Sequence, residues 1–180
     1  MESRAKVLGH PVHPMLIVLP LGLFIASVVF DVLHQVTRRG AFAVVAFWNI
    51  AAGIVGGLVA AVFGLWDWLA IPGGTRAKTV GAWHGGGNAV VLVLFGVSWL
   101  LRAGSPGNVP QAMALLLSFV GLAAGGVTGW LGGELVDRLG VGVDKGAHLD
   151  SPSSLSGLPA SGRSDGPAAA HVDQPASVRS

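Results

Sequence analysis

The chain has 180 residues, 52% of them apolar with a mean hydropathy of +0.66, and only 11% charged, whereas a soluble domain carries about 25% charged residues. That deficit excludes an ordinary soluble fold. A net charge of +2, with basic residues standing singly or in pairs between apolar runs, gives no basic surface for nucleic acid, and the absence of cysteine removes disulfides, thiolate nucleophiles and thiolate-ligated metals.

Arg4 and Lys6 precede a first apolar run in the manner of a signal peptide. No small-residue cleavage site follows, and the run continues into Asp31 and His34, so it reads as a retained first span. Apolar windows place four spans at about 15–36, 42–66, 81–101 and 111–132, each near the roughly 20 residues a membrane helix needs. The third depends on glycine-rich residues 81–87 joining a helix, because its clean apolar part begins at Ala89. Turn-forming connections carry Arg38-Arg39-Gly40, Pro72-Gly73-Gly74 and Gly104-Ser105-Pro106-Gly107. The expected architecture is all-α: an integral membrane bundle of four transmembrane helices over residues 1–148. A tail over 149–180, rich in Ser, Ala, Pro and Gly, has too few large apolar residues to offset ordering entropy and is expected to be disordered.

Lys and Arg near the span ends set the expected orientation. Arg4, Lys6, Arg76, Lys78, Arg138 and Lys145 lie on one side, against Arg38, Arg39 and Arg102 on the other. The excess predicts both termini in the cytoplasm of a cell inner (plasma) membrane protein. Trp66, Trp68 and Trp83 fall at the same boundary, where an aromatic belt belongs.

Glycine recurs every fourth residue in span 4, at Gly121, Gly125, Gly129 and Gly133. Ala52, Gly56, Ala60 and Gly64 do the same in span 2. Small residues let membrane helices approach closely, so both stripes are expected to pack, and Gly125→Leu is expected to disrupt the fold.

Six polar residues gather on the predicted cytoplasmic side. His10 and His13 precede span 1, Asp67 ends span 2, His84 and Asn88 open span 3, and Glu134 ends span 4. Ionisable groups at membrane depth tend to face the bundle interior and find partners there. Neutral imidazole can ligate a metal or haem, with a carboxylate as further ligand or orienting group. His10, His13, His84 and Asn88 are the candidate cofactor-binding residues, and His13, Asp67, His84 and Glu134 the candidate metal ligands. Helix capping by the same residues is the competing reading. His13 and His84 are able to meet, whereas His34 stands alone at the far end of span 1. Asp31 and His34, three apart, are expected to pair with each other or meet the interface.

Enzyme motifs fail. His84-Gly85-Gly86-Gly87 spells an esterase oxyanion string, but no Gly-x-Ser-x-Gly elbow accompanies it. Residues 73–79 and 140–146 lack the phosphate-loop and dinucleotide spacings, and there is no His-Glu-x-x-His. Each predicted helical pair opens on a histidine, His13 or His84, and closes on glycine, tryptophan and an acid: Gly64, Trp66 and Asp67, then Gly129, Trp130 and Glu134. That parallel suggests a duplicated hairpin.

Residues 9–15, the Asp67-Trp68 segment with Pro72, His84 with Asn88, and Gly132-Gly133-Glu134-Leu135-Val136 followed by Gly140-Val141-Gly142-Val143 together resemble the DUF2231 family of bacterial predicted membrane proteins. The resemblance covers about residues 7 to 155. It implies a four-helix inner-membrane protein without an assigned activity, some of whose relatives are joined or linked to Rieske-type iron–sulfur proteins. In many relatives the opening motif continues with a histidine before a Phe-Pro pair, where this chain has Ile17-Val18-Leu19-Pro20. The leading expectation is a polar site binding haem or a divalent metal in an electron-transfer setting, with the lipid bilayer, a homo-oligomer or a membrane redox protein as partner. The alternatives are a non-enzymatic scaffold or subunit and a small transporter or channel.

Overall fold

The computed structural model describes residues 1–162. A short antiparallel hairpin, β1 (Lys6–Val7) with β2 (His10–Pro11), turns through Leu8 and Gly9, both at positive φ, as a two-residue primed turn requires. Five α-helices follow: α1 (Val12–Leu16), α2 (Val18–Thr37), α3 (Gly40–Ala70), α4 (Arg76–Ala103) and α5 (Ala112–Gly133), the last continuing into a π turn at Glu134–Arg138. α1 and α2 form one spanning segment, interrupted at Ile17 because Pro20 has no N–H to offer and its ring crowds the carbonyl of Leu16. Among the described residues four segments are long and apolar enough to cross a membrane: Val12–Thr37, Gly40–Ala70, Arg76–Ala103 and Ala112–Arg138.

Residues 81–87 are helical throughout. Lipid offers a backbone no hydrogen bonds, so the helix closes its own even through glycine. Two of these glycines also make room for neighbours: an added Cβ would lie 2.6 Å from Trp68 at Gly81 and 2.5 Å from Thr128 at Gly87. Thr75 caps the α4 N-terminus by accepting from the backbone N–H of Lys78 at 3.2 Å.

The bundle is two helical hairpins, α1–α2 with α3 and α4 with α5, and their correspondence is residue by residue. His84, Phe95, Ser98 and Arg102 each follow His13, Phe24, Ser27 and Asp31 by 71 residues. In the second helices Ala114, Gly121 and Gly132 each follow Ala46, Gly53 and Gly64 by 68. Three of these pairs meet their own equivalents, as residues on a two-fold axis must. The His13 and His84 ring centres lie 6.2 Å apart, Phe24 and Phe95 stack at 4.0 Å and 8°, and Asp31 binds Arg102. At 1.5 Å rise per residue the three stations span about 27 Å, nearly the roughly 30 Å hydrocarbon thickness. The hairpin repeat is therefore present, on a register finer than its terminal motifs suggest.

Around the Phe24–Phe95 stack the core holds Val28, Ile50 and Val91, while Leu19, Ile25, Val29, Val55 and Val93 are exposed, the inverted arrangement a lipid solvent allows. Glycines seat side chains rather than facing backbones: Gly53 lies under Phe24, Gly121 under Phe95, Gly57 under Leu92, Gly64 under His13 and Gly132 under His84. The expected span 4 stripe is corrected by this. Gly125 and Gly129 have nothing within 4 Å of an added Cβ, so of that stripe Gly121 alone packs tightly, and a methyl group at position 125 meets no neighbour.

Outside the bundle the N-terminal strap crosses the end where α1 begins and α5 finishes. The Met1 ammonium donates to the carbonyl of Gly140 at 2.7 Å, and Gly142 N–H donates to the carbonyl of Met1 at 2.7 Å. Of the tail expected to be disordered, residues 149–162 form successive turns, with Ser154 against Gly9, and residues 163–180 lie outside the described residues.

Candidate functional site

His13 opens α1 and His84 lies two turns into α4, so both rings enter the bundle at the terminal end, between the hairpins. Each is held the same way. Nδ1 of His13 donates to the carbonyl of Ala60 and Nδ1 of His84 to the carbonyl of Thr128, both at 2.8 Å. Each ring rests on the glycine one turn beyond its carbonyl, Gly64 or Gly132. A carbonyl oxygen only accepts, so Nδ1 carries the proton, and in the neutral ring the lone pair sits on Nε2. The two ring planes stand at 87°.

His84 has a further support. Asn88, one turn on, donates from Nδ2 to the His84 carbonyl at 2.9 Å and lies 3.3 Å from its Nε2, while its Oδ1 accepts from the Thr128 hydroxyl at 3.0 Å. Thr128 thus holds His84 by its carbonyl and Asn88 by its hydroxyl. At the position equivalent to Asn88 the first hairpin has Ile17, so the two imidazoles share a backbone environment and differ in side-chain support.

The remaining predicted site residues are elsewhere engaged. Asp67 accepts from Ser3 Oγ at 2.7 Å and Arg4 N–H at 2.8 Å, anchoring the N-terminal strap. Glu134 accepts from Arg76 at 2.6 Å. His10 is exposed, its Nδ1 3.2 Å from the carbonyl of Leu8. Of the six, the structure brings His13, His84 and Asn88 together. Among the described residues no three of His, Cys, Asp or Glu gather as a metal site would require, so Asp67 and Glu134 do not complete a four-ligand set with the histidines.

Outside the spans, the strap carries its own ion pairs. Lys6 contacts Asp144 and, at 3.0 Å, Glu2. The Asp144 bond, then that of Glu2, raises the Lys6 ammonium above the ordinary lysine value. The Lys6 bond, then the backbone N–H of Lys145, lowers the Glu2 carboxyl below its ordinary range. Trp66 and Trp83 are exposed at this end. Trp68 instead packs inward, under the Lys78 ammonium at 3.8 Å from its ring centre.

At the opposite end lies the polar group that sequence reasoning missed. Arg102 donates Nη1 and Nη2 to the two carboxylate oxygens of Asp31, both at 2.6 Å, with Nε to Ser98 at 3.2 Å and Nη2 also to Ser118 at 3.0 Å. Both charged side chains have 0% exposure. The expected Asp31–His34 pairing is corrected: Asp31 turns into the bundle, and His34 Nδ1 donates to the carbonyl of Arg39 at 3.0 Å. Arg102 is correspondingly an internal charge rather than a flanking one.

Four spanning segments in two equivalent hairpins, with a histidine pair and a buried ion pair on their shared axis, define a polytopic membrane protein of internal two-fold design. The chain belongs to the family of predicted membrane proteins designated DUF2231, whose model matches residues 9–145. No curated protein and no solved structure matches it.

Proposed function

We propose that His13 and His84 form a two-imidazole site for one metal centre, a bare divalent ion or the iron of a haem, in a small electron-transfer protein of the inner membrane. The observation that carries this reading is the 6.2 Å between two ring centres whose Nδ1 atoms are both committed to carbonyls. Metal–nitrogen bonds of 2.0–2.1 Å put two imidazoles that share one ion about 6.4 Å apart when trans and about 5.2 Å apart at a tetrahedral angle. The observed 6.2 Å lies between those two values, so His13 and His84 would supply two imidazole ligands to a metal or haem iron bound between them. A carbonyl at Nδ1 fixes ring orientation and raises the basicity of Nε2, the usual support behind a ligating histidine. Both hairpins keep the histidine and its glycine seat, whereas the equivalent charged station has diverged to Asp31 and Arg102.

The protein's residues supply two ligands and their orientation, and the macrocycle, water or a partner supplies the rest. Asn88 occupies the neighbourhood of His84 Nε2 and would be displaced from it on binding. With Arg102 internal, six cationic residues flank the terminal end against Arg38 and Arg39 opposite, which supports cytoplasmic termini. The site then opens toward the cytoplasm, where a membrane redox protein is the natural partner.

Absorption spectroscopy and elemental analysis of protein extracted from membranes test the proposal. A Soret band, or one equivalent of metal, lost in both His13→Asn and His84→Asn, is expected. Asparagine can still donate toward the carbonyl but has no Nε2. A preparation with neither band nor metal after haem or divalent-ion supplementation contradicts it, and favours a scaffold whose histidines only fasten helices.

A further inference from the structure

The ion pair at the far end is independent of any metal site, and its position is informative in itself. Asp31 and Arg102 occupy one and the same position of the two hairpins, and they meet on the axis. Two identical hairpins packed about that axis would set Asp against Asp or Arg against Arg there, and like charges sealed from solvent repel strongly. Opposite charges turn that repelling station into a bidentate bond that only unlike hairpins can form.

We infer that Asp31 and Arg102 are the residues that decide which hairpin pairs with which: a first hairpin accepts a second hairpin and rejects the first hairpin of another copy of the chain in the same membrane. The other two stations on the axis do not make this distinction. The Phe24–Phe95 stack and the His13–His84 pair present the same residue from each side, and so would fit a like hairpin equally well. The glycine seats, Gly53 with Gly121 and Gly64 with Gly132, are also common to both halves. Specificity built from one repelling element against the wrong partner is a general device.

The surroundings of the pair allow a direct test by inversion. Arg102 leans on Ser98, four residues before it, and Asp31 has Ser27 at the same offset. An arginine placed at position 31 therefore finds an equivalent hydroxyl. The second serine, Ser118, corresponds to Ile50 in the first hairpin, so Ile50→Ser with Ser118→Ile completes the inverted site.

Full-length chains carrying Asp31→Arg, Arg102→Asp, both changes, or both together with Ile50→Ser and Ser118→Ile should be compared by monomer yield after detergent extraction. Each single change should cut folded monomer by at least about tenfold, and the four-residue inversion should recover it. The two single-change chains, co-expressed with different tags, should co-purify, because hairpins exchanged between them restore both opposite-charge pairs. Inverted chains as poor as the single changes, single changes as good as wild type, or a failure of the two singles to capture each other would each overturn the inference. None of these outcomes depends on whether His13 and His84 bind a metal.

Discussion

Asp31 and Arg102, 71 residues apart and at equivalent positions of successive hairpins, close on each other through two 2.6 Å bonds with neither side chain reaching the surface. A charge in this setting is tolerable only while its partner is present. The pair thus ties the two halves to each other by charge, and the first prediction concerns its removal.

Arg102→Ala or Asp31→Ala should each destabilise the bundle by about 3–5 kcal/mol, because each strands one buried charge. Removing both partners, as Asp31→Leu with Arg102→Met, should cost much less, since no uncompensated charge remains. Thermal unfolding in detergent checks the order of the variants.

The glycine seats predict a contrast between two kinds of helical glycine. At Gly132 an added Cβ falls 3.0 Å from His84 Cε1, and at Gly64 one falls 2.8 Å from His13 Cε1, while at Gly125 it meets nothing within 4 Å. Gly64→Ala and Gly132→Ala should cost about 1–3 kcal/mol through overpacking. Gly125→Ala should be neutral or stabilising, since alanine is the better helix former. Unfolding midpoints of the three variants decide it.

Phe24 and Phe95 stack at 4.0 Å between ring centres, between the histidine pair and the ion pair along the bundle. A double-mutant cycle with leucine at each position should return a coupling of about 0.5–1.5 kcal/mol, the amount aromatic pairs add beyond their area. A coupling near zero would mean that the two rings act as independent apolar bulk.

The N-terminal strap should respond to pH at both extremes. Lys6 is raised in the folded chain, so its contribution is complete below the ordinary lysine value and is lost as pH rises through the higher folded value. Glu2 is lowered, so its contribution is complete above the ordinary carboxylate value and is lost as pH falls through the lower folded one. Hydrogen exchange of the strap amides relative to the intrinsic rate at each pH, including Val12, whose N–H donates to the Ala5 carbonyl at 2.9 Å, should be slowest between those limits. It should quicken on either side.

The spans were legible because lipid makes apolar length a direct signal, and the third survived its glycines because a membrane leaves its backbone no alternative to a helix. The His13–His84 meeting followed from topology, since both open a hairpin at one end. Asp67 and Glu134 share that end, yet the sequence could not say that Asp67 holds Ser3 and Arg4 or that Glu134 holds Arg76. Local spacing ties a residue to its own helix, and that favoured Asp31 with His34 over a partner 71 residues away. The overlooked signal was the repeat register. With His13 aligned on His84, the residues that follow pair Phe with Phe, Ser with Ser, and Asp with Arg, which marks the ion pair before any coordinates exist. The glycine stripe misled for a related reason: regular spacing names a helix face, and on that face Gly121 meets Phe95 while a Cβ at Gly125 or Gly129 meets nothing within 4 Å.

The central claim is that His13 and His84 jointly hold one metal centre, and the most direct measurement is the metal or haem iron bound per chain in wild type, His13→Asn and His84→Asn, purified alike. The account predicts one equivalent in the wild-type protein and loss in both variants, with the helical circular dichroism unchanged. Equal occupancy in all three, or none in a wild-type chain supplied with haem and divalent ions, would contradict it.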